Sequence, residues 1–218
     1  MNVVNGTDLI HDIRVAIDEN RDTNAESLIN DIDTLSLDEI IKSKIEDAAI
    51  SVILAAPFDK LGDLSEAMTT EDLSISDSER HKAIMSLPND FARLVRFKMS
   101  SWPIALFQAL PPLPPQYDKA NSKFNIYGTC ERPVLFIVPK EDGLKLEIFC
   151  AASDSDTIEE CSYIKKPSIQ GNDAWTIKLG ERLYRPTVYY AAYLTALAIK
   201  DADAATALQG IAKELLDS

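Results

Sequence analysis

Apolar positions recur at helical spacing in several stretches of the chain. In Thr7–Asn20, Leu9, Ile10, Ile13 and Ile17 share one face. Asp8 and Asp12 sit early, where the helix dipole favours acids, and Thr7 is the expected N-cap. A polar stretch, DENRDTNAES, follows. The clearest helix opens at Ser36, which forms a capping box with Glu39. Ile41, Ile45, Ala48, Ala49, Val52, Ile53 and Ala56 then fall at offsets 0, 4, 7, 8, 11, 12 and 15, one continuous stripe that Pro57 ends. Residues 59–80 are polar and read as short helices or a loop.

The stretch LPNDFARLVRFKMSSW predicts a third helix. Asn89 or Asp90 caps it, Leu87 precedes as a staple residue, and Phe91, Leu94, Val95, Met99 and Trp102 share a face. Arg93, Arg96 and Ser100 share another, and Lys98 and the upstream Lys82 add charge. Pro103 limits the helix, and the block Pro111–Pro115 reads as stiff and extended.

From Gln116 to Leu179 the period shortens. FNIYGTC, RPVLFIV, LKLEIFC, CSYIKK and AWTIKL read as strands, with PKEDGLK as a hairpin loop between the second and third. Lys145 and Glu147 alternate with Leu144, Leu146 and Ile148, so one face of that strand should be wet. The C-terminus returns to helix. Pro186 marks one start. Asp201 or Asp203 caps the last helix, with Leu208, Ile211 and Leu215 inward, and the two form a hairpin or one kinked rod. The expected fold is therefore α+β, mainly a helical bundle with a small antiparallel sheet inserted before a C-terminal helical pair. The expected parts are a helical 1–115, acidic in its N-terminal two-thirds, a β-rich insertion over 116–180, and helices over 181–218.

Composition adds two constraints. With 46% hydrophobic residues the chain can bury a core, yet no apolar run reaches the ~18 residues of a membrane span. The start lacks the pattern of a signal peptide, which implies a cytoplasm-like compartment of synthesis. The net charge of -13 is uneven: residues 1–86 hold 19 acids and 7 bases, whereas residues 87–218 hold 16 and 15. An acidic face of that kind repels nucleic acid instead of gripping it.

Candidate chemistry is sparse. His11 and His81 lie among charged residues, and no phosphate-loop, metalloprotease or nucleophile-elbow motif occurs. Cys161 has no histidine placed to activate it, and Cys130 and Cys150 read as small buried hydrophobes. Asp31 with Asp33, and Asp154 with Asp156, lack the glycine and distal glutamate of a calcium loop. The sequence thus predicts no catalytic residue, metal site or cofactor. Arg93, Arg96 and Trp102 are instead candidates for an interface. In that arrangement the cations meet the acidic surface of a neighbouring copy or of another protein, and a head-to-tail contact closes into a ring.

SLDEIIKSKIEDAAISVILAAP, LPNDFARLVRFKMSSW, CERPVLFIVP and YRPTVYYAAYLTALAIKDADAATALQGIAKELL, in this order, resemble head-to-tail connector proteins of tailed bacteriophages, most of all those of crAss-like short-tailed phages. In that family a Leu-Pro-x-Asp-Phe-x-Arg element opens a helix, and an alanine- and tyrosine-rich helix pair closes the chain. The resemblance implies a non-enzymatic virion protein at the head–tail junction, made in the host cytoplasm. It implies a ring of about twelve copies that docks on the portal protein, meets tail or second-ring proteins, and prolongs the channel through which DNA passes without specific binding. It also implies that Leu208–Ser218, with Leu208, Ile211, Leu215 and Leu216, contacts the portal. A soluble helical adaptor or assembly chaperone with one protein partner is the alternative.

Overall fold

The capping box forms as the sequence predicts. Ser36 Oγ accepts from Glu39 N, and the Glu39 carboxylate accepts from Ser36 N at 2.8 Å. In the computed structural model, which describes residues 2–20, 36–68, 73–77, 82–113, 115–122, 128–129, 131–151, 156–172 and 174–218, this box opens helix α2, Leu37–Ala55. Helix α1 spans Gly6–Glu19, and its cap is Asn5 rather than Thr7, because the Asn5 side chain accepts from Thr7 N. Helices α4, Tyr184–Ala198, and α5, Ala202–Asp217, form a hairpin; the turn between them places Lys200 at φ 63, and the Asp201 side chain caps α5.

The described residues divide into two compact units. The first joins Met1–Leu64 to Lys166–Ser218. Its core draws Leu9, Ile13 and Ile17 from α1, Ile41, Ile45 and Ala48 from α2, Ala191, Ala192 and Ala196 from α4, and Leu208 from α5. The alanines let the helix backbones approach closely. A two-stranded antiparallel sheet completes this unit: β1, Asn2–Asn5, pairs with β9, Thr176–Leu179.

The second unit is Ser65–Lys165, so the β-rich part begins at residue 65 and not at 116. Strands β2 (Glu66–Ala67), β8 (Ile158–Lys165) and β5 (Phe91–Met99) make one antiparallel sheet in the order β2-β8-β5. Strands β3 (Ser74–Asp77), β4 (Lys82–Ser86), β7 (Gly143–Phe149) and β6 (Val134–Lys140) make another in the order β3-β4-β7-β6. Both contribute to one core: Phe97, Met99 and Tyr163 come from the first sheet, and Met85, Leu135, Leu146 and Ile148 from the second. The short helix α3, Gln116–Ala120, lies with Phe136 and Phe149 in a separate cluster on the second sheet.

Two sequence expectations are corrected here. Among the described residues the fold is α+β with three antiparallel sheets, not a mainly helical bundle with one small sheet. The main cause is the predicted third helix, which is strand β5. Its register against β8 shifts between Phe91 and Arg93 and again between Leu94 and Arg96. Each irregularity inserts a residue, so the inward positions fall at Phe91, Leu94, Phe97 and Met99. Strict alternation would place them two apart; the bulges stretch the spacing to three, which imitates a helix. The second correction is the wet face of β7. Glu147 is fully buried, because α3 covers that side of the sheet.

The proline block is not a continuous extended rod either. Leu113 N bonds to Pro111 O at 2.7 Å, which closes a tight turn, and α3 follows. The hairpin over PKEDGLK is present, with Lys140 opposite Gly143 and Gly143 at φ 119, where a side chain would be strained. The run FNIYGTC lies mostly outside the described residues.

Candidate functional site

The cations of β5 find partners in their own chain. Across the β5–β8 ladder, Arg96 pairs with Glu160, and Lys98 Nζ lies 2.7 Å from Glu159. Arg93 is partly buried, and desolvation lowers its pKa. Lys82 belongs to β4 and pairs with Glu147. Trp102 is only 2% exposed; it meets Phe97 edge-on, and its Nε1 donates to Cys150 O at 2.6 Å. It anchors the core of the second unit.

The four C-terminal candidates separate by depth. Leu208 and Leu216 are buried, whereas Ile211 and Leu215 are half-buried at the edge of α5. Lys60 Nζ donates to the carbonyls of Leu215 and Leu216, which holds the last turn of α5 in place. Thus Arg93, Arg96 and Trp102 lie in the second unit, and Leu208, Ile211, Leu215 and Leu216 in the first.

The groups weighed for chemistry have structural tasks where they are described. Burial pushes the Cys161 thiol up to about 12, so it is not a nucleophile at neutral pH. Cys150 is buried, as its reading expects, and it is also disulfide-bonded. Asp156 accepts from Ser100 Oγ, Ser101 N and Ser101 Oγ and so fixes the turn after β5. His11 is exposed. His81, Asp31, Asp33, Asp154 and Cys130 lie outside the described residues. No group of three or more His, Cys, Asp or Glu fit to hold a metal occurs among the described residues. Among them, too, no helix is long and apolar enough to cross a membrane.

One polar cluster escaped the sequence reading. The Glu147 carboxylate meets Lys82 Nζ at 2.8 Å, Tyr117 Oη–H at 2.8 Å and Lys140 Nζ at 3.2 Å. Lys82 also donates to Asn121 Oδ1 and lies 5.0 Å from the Phe149 ring centre. Burial acts to raise the Glu147 pKa, but the hydrogen bonds from Lys82 and Tyr117 and the adjacent cations outweigh it and hold it below 4.5. Burial and the bond to Glu147 push Tyr117 up to about 12, so it remains a donor. The cluster pins α3 to the second sheet.

Two surface features also escaped it. In the first unit a groove of about 640 Å³ is lined by Ala55, Tyr190, Gly210, Lys213, Leu216 and Asp217. It far exceeds the clefts of about 260 Å³ beside α1 and about 270 Å³ beside β2. In the second unit the strap after β5 exposes Ile104, Phe107 and Leu113, at 52, 52 and 60%. Leu106 exchanges both backbone hydrogen bonds with Phe97, and Leu110 bonds to Leu135 and Ile137, so the strap is fixed at both sheets. Residues 99–117 contain no charged side chain. That uncharged run was the available signal for the strap. The groove had none, because it depends on how three helices meet.

No protein-family model matches the chain, and no curated protein matches it in sequence.

Proposed function

We propose that the chain is a non-enzymatic head-to-tail connector of a tailed bacteriophage: one copy of a ring that docks on the portal, meets the tail or a second ring, and prolongs the DNA channel. The virion's portal vertex is its place of action. The observation that carries this reading is the placement of charge. Residues 1–86 have an excess of twelve acids, and Asp8, Asp18, Glu19, Glu39 and Asp47 of α1 and α2 stand exposed. A channel lined in this way lets DNA slide without sticking.

The closing helix pair supports the reading as well. It is alanine- and tyrosine-rich, as in the proteins the sequence resembles, and α5 presents Ile211 and Leu215 at its edge. The Leu-Pro-x-Asp-Phe-x-Arg element no longer does. In the family it opens a helix, whereas here it opens strand β5. Nor is Arg96 retained as a cation awaiting a neighbour's carboxylate, since Glu160 already meets it.

The portal contact is tested on α5. Removing Gly210–Ser218 would also remove the buried Ala212 and Leu216, so the surface pair Ile211→Ser with Leu215→Ser is the cleaner variant. It should retain the fold and lose co-sedimentation with portal rings. Undiminished binding by this folded variant would contradict a portal contact through α5. Stoichiometry separates the connector from an adaptor that binds one protein partner: a connector has many copies in one particle, an adaptor one or two.

A further inference from the structure

The dipeptide Asn-Gly occurs once in the chain, at Asn5–Gly6. An asparagine side chain before glycine is prone to close a ring on the next backbone nitrogen, because glycine has no side chain to obstruct the attack. Packing fixes this glycine: a Cβ on Gly6 would collide with the Trp175 ring, 2.2 Å away. Asn5 has a task too, since its side chain caps α1. The fold thus needs a reactive pair and holds it where it cannot react. Thr7 N donates to Asn5 Oδ1 at 3.0 Å. Gly6 N donates to Trp175 O at 2.9 Å. Asn5 lies at ψ 136, which turns Gly6 N away from the side-chain carbon, whereas a five-membered ring needs the two nearly eclipsed. Asn5 is exposed, but Gly6 is buried against the indole.

We propose that Asn5 is a site of spontaneous covalent modification, gated by the corner where β1, α1 and Trp175 meet. When that corner opens, Gly6 N attacks Asn5 Cγ and gives up its proton. The Cγ–Nδ2 bond breaks, and ammonia leaves with that proton. A cyclic imide remains, and one water opens it. Cleavage between Cγ and the ring nitrogen gives aspartate; cleavage between the main-chain carbonyl carbon and that nitrogen gives isoaspartate. Water is the sole co-reactant. The two products differ in effect. Aspartate caps a helix as well as asparagine does, and its charge suits the positive end of α1. Isoaspartate adds an atom to the main chain between β1 and α1. That shifts the register in which Asn5 faces Thr176 of β9 and draws Gly6 out of its seat against Trp175. The corner is also weakly held: β1 has four residues and a single partner strand. This site is independent of the connector reading.

The test incubates the full chain at mildly alkaline pH, once folded and once in concentrated urea, and follows the Asn5 peptide by mass spectrometry. Conversion should be slower in the folded chain by about tenfold or more. Equal rates would overturn the gating, and no conversion in urea would overturn the site itself. Trp175→Ala removes the ring against Gly6. It should bring the rate in the folded chain towards the rate in urea and leave the rate in urea unchanged. If circular dichroism shows that Trp175→Ala does not fold, Trp175→Leu takes its place. A folded variant that converts as slowly as wild type would overturn the proposal. Asn5→Ser retains a capping oxygen without an amide, so its peptide should hold a constant mass. A mass gain that persists in Asn5→Ser would place the reaction at Asn2 and overturn it as well. Asn5→Asp, the direct product, should melt no lower than wild type. A lower melting temperature would contradict the claim that the acid retains the cap.

Discussion

Gly6 and Gly210 show how differently one residue type is used in this chain. Gly6 N donates to Trp175 O, and a Cβ on Gly6 would lie 2.2 Å from the Trp175 ring. Gly6→Ala should therefore destabilise the first unit by about 2 kcal/mol, as overpacking of a fixed aromatic does, read from urea unfolding. Gly210→Ala should do the opposite and raise stability by up to about 1 kcal/mol, since open space surrounds the new methyl. Glu147 is the third residue with a sharp expectation. Its folded pKa lies below its ordinary 4.5, so its stabilising contribution is complete above that value and is lost as pH falls through the lower, folded one. Glu147→Gln should cost about 3 kcal/mol near neutral pH, because it leaves Lys82 beside a neutral amide in a buried site. The same substitution should flatten the acid limb of the stability curve below about pH 4.5. An unchanged acid limb would show that other carboxylates govern it.

At the scale of elements, the helices were legible and several strands were not, for a physical reason. α2 announces itself through Ser36, Glu39 and an unbroken stripe, and the Pro186 and Asp201 signals place α4 and α5. These are local signals, and local chemistry decides them. Strand β5 is set by its pairing with β8, which no local pattern encodes, and its bulges hide the alternation that would have revealed it. One clue was available. A helix over this stretch strands Phe97 on the cationic face, whereas in β5 it is fully buried. The two assignments make opposite predictions. Phe97→Ala should cost about 3–5 kcal/mol and Val95→Ala, half-buried, much less. A larger loss at Val95 than at Phe97 in thermal or urea melts would restore the helix. The polar side of β7 was misread for a similar reason: its alternation is genuine, but α3 arrives from elsewhere in the chain to cover it.

For the whole molecule, the chain interrupts a helical unit with a β-rich one, and each has its own core. The β-rich unit runs from residue 65 and not from 116, because β2 to β5 lie in stretches read as loop and helix. The candidate site was less legible still. Arg93, Arg96 and Trp102 were singled out for charge and aromatic character, yet Arg96 has a carboxylate within its own chain and Trp102 is core. Two surface features went unread: the exposed strap, whose lack of charge is visible in the sequence, and a groove that exists only once α5 has packed.

The central claim, that this acidic chain is one copy of a connector ring, is tested most directly by the native mass and composition of the particle that co-purifies with it from its natural source. The account predicts on the order of a dozen copies bound to a portal-like ring. A monomer or dimer with a single protein partner, or one carrying a bound metabolite, would contradict it.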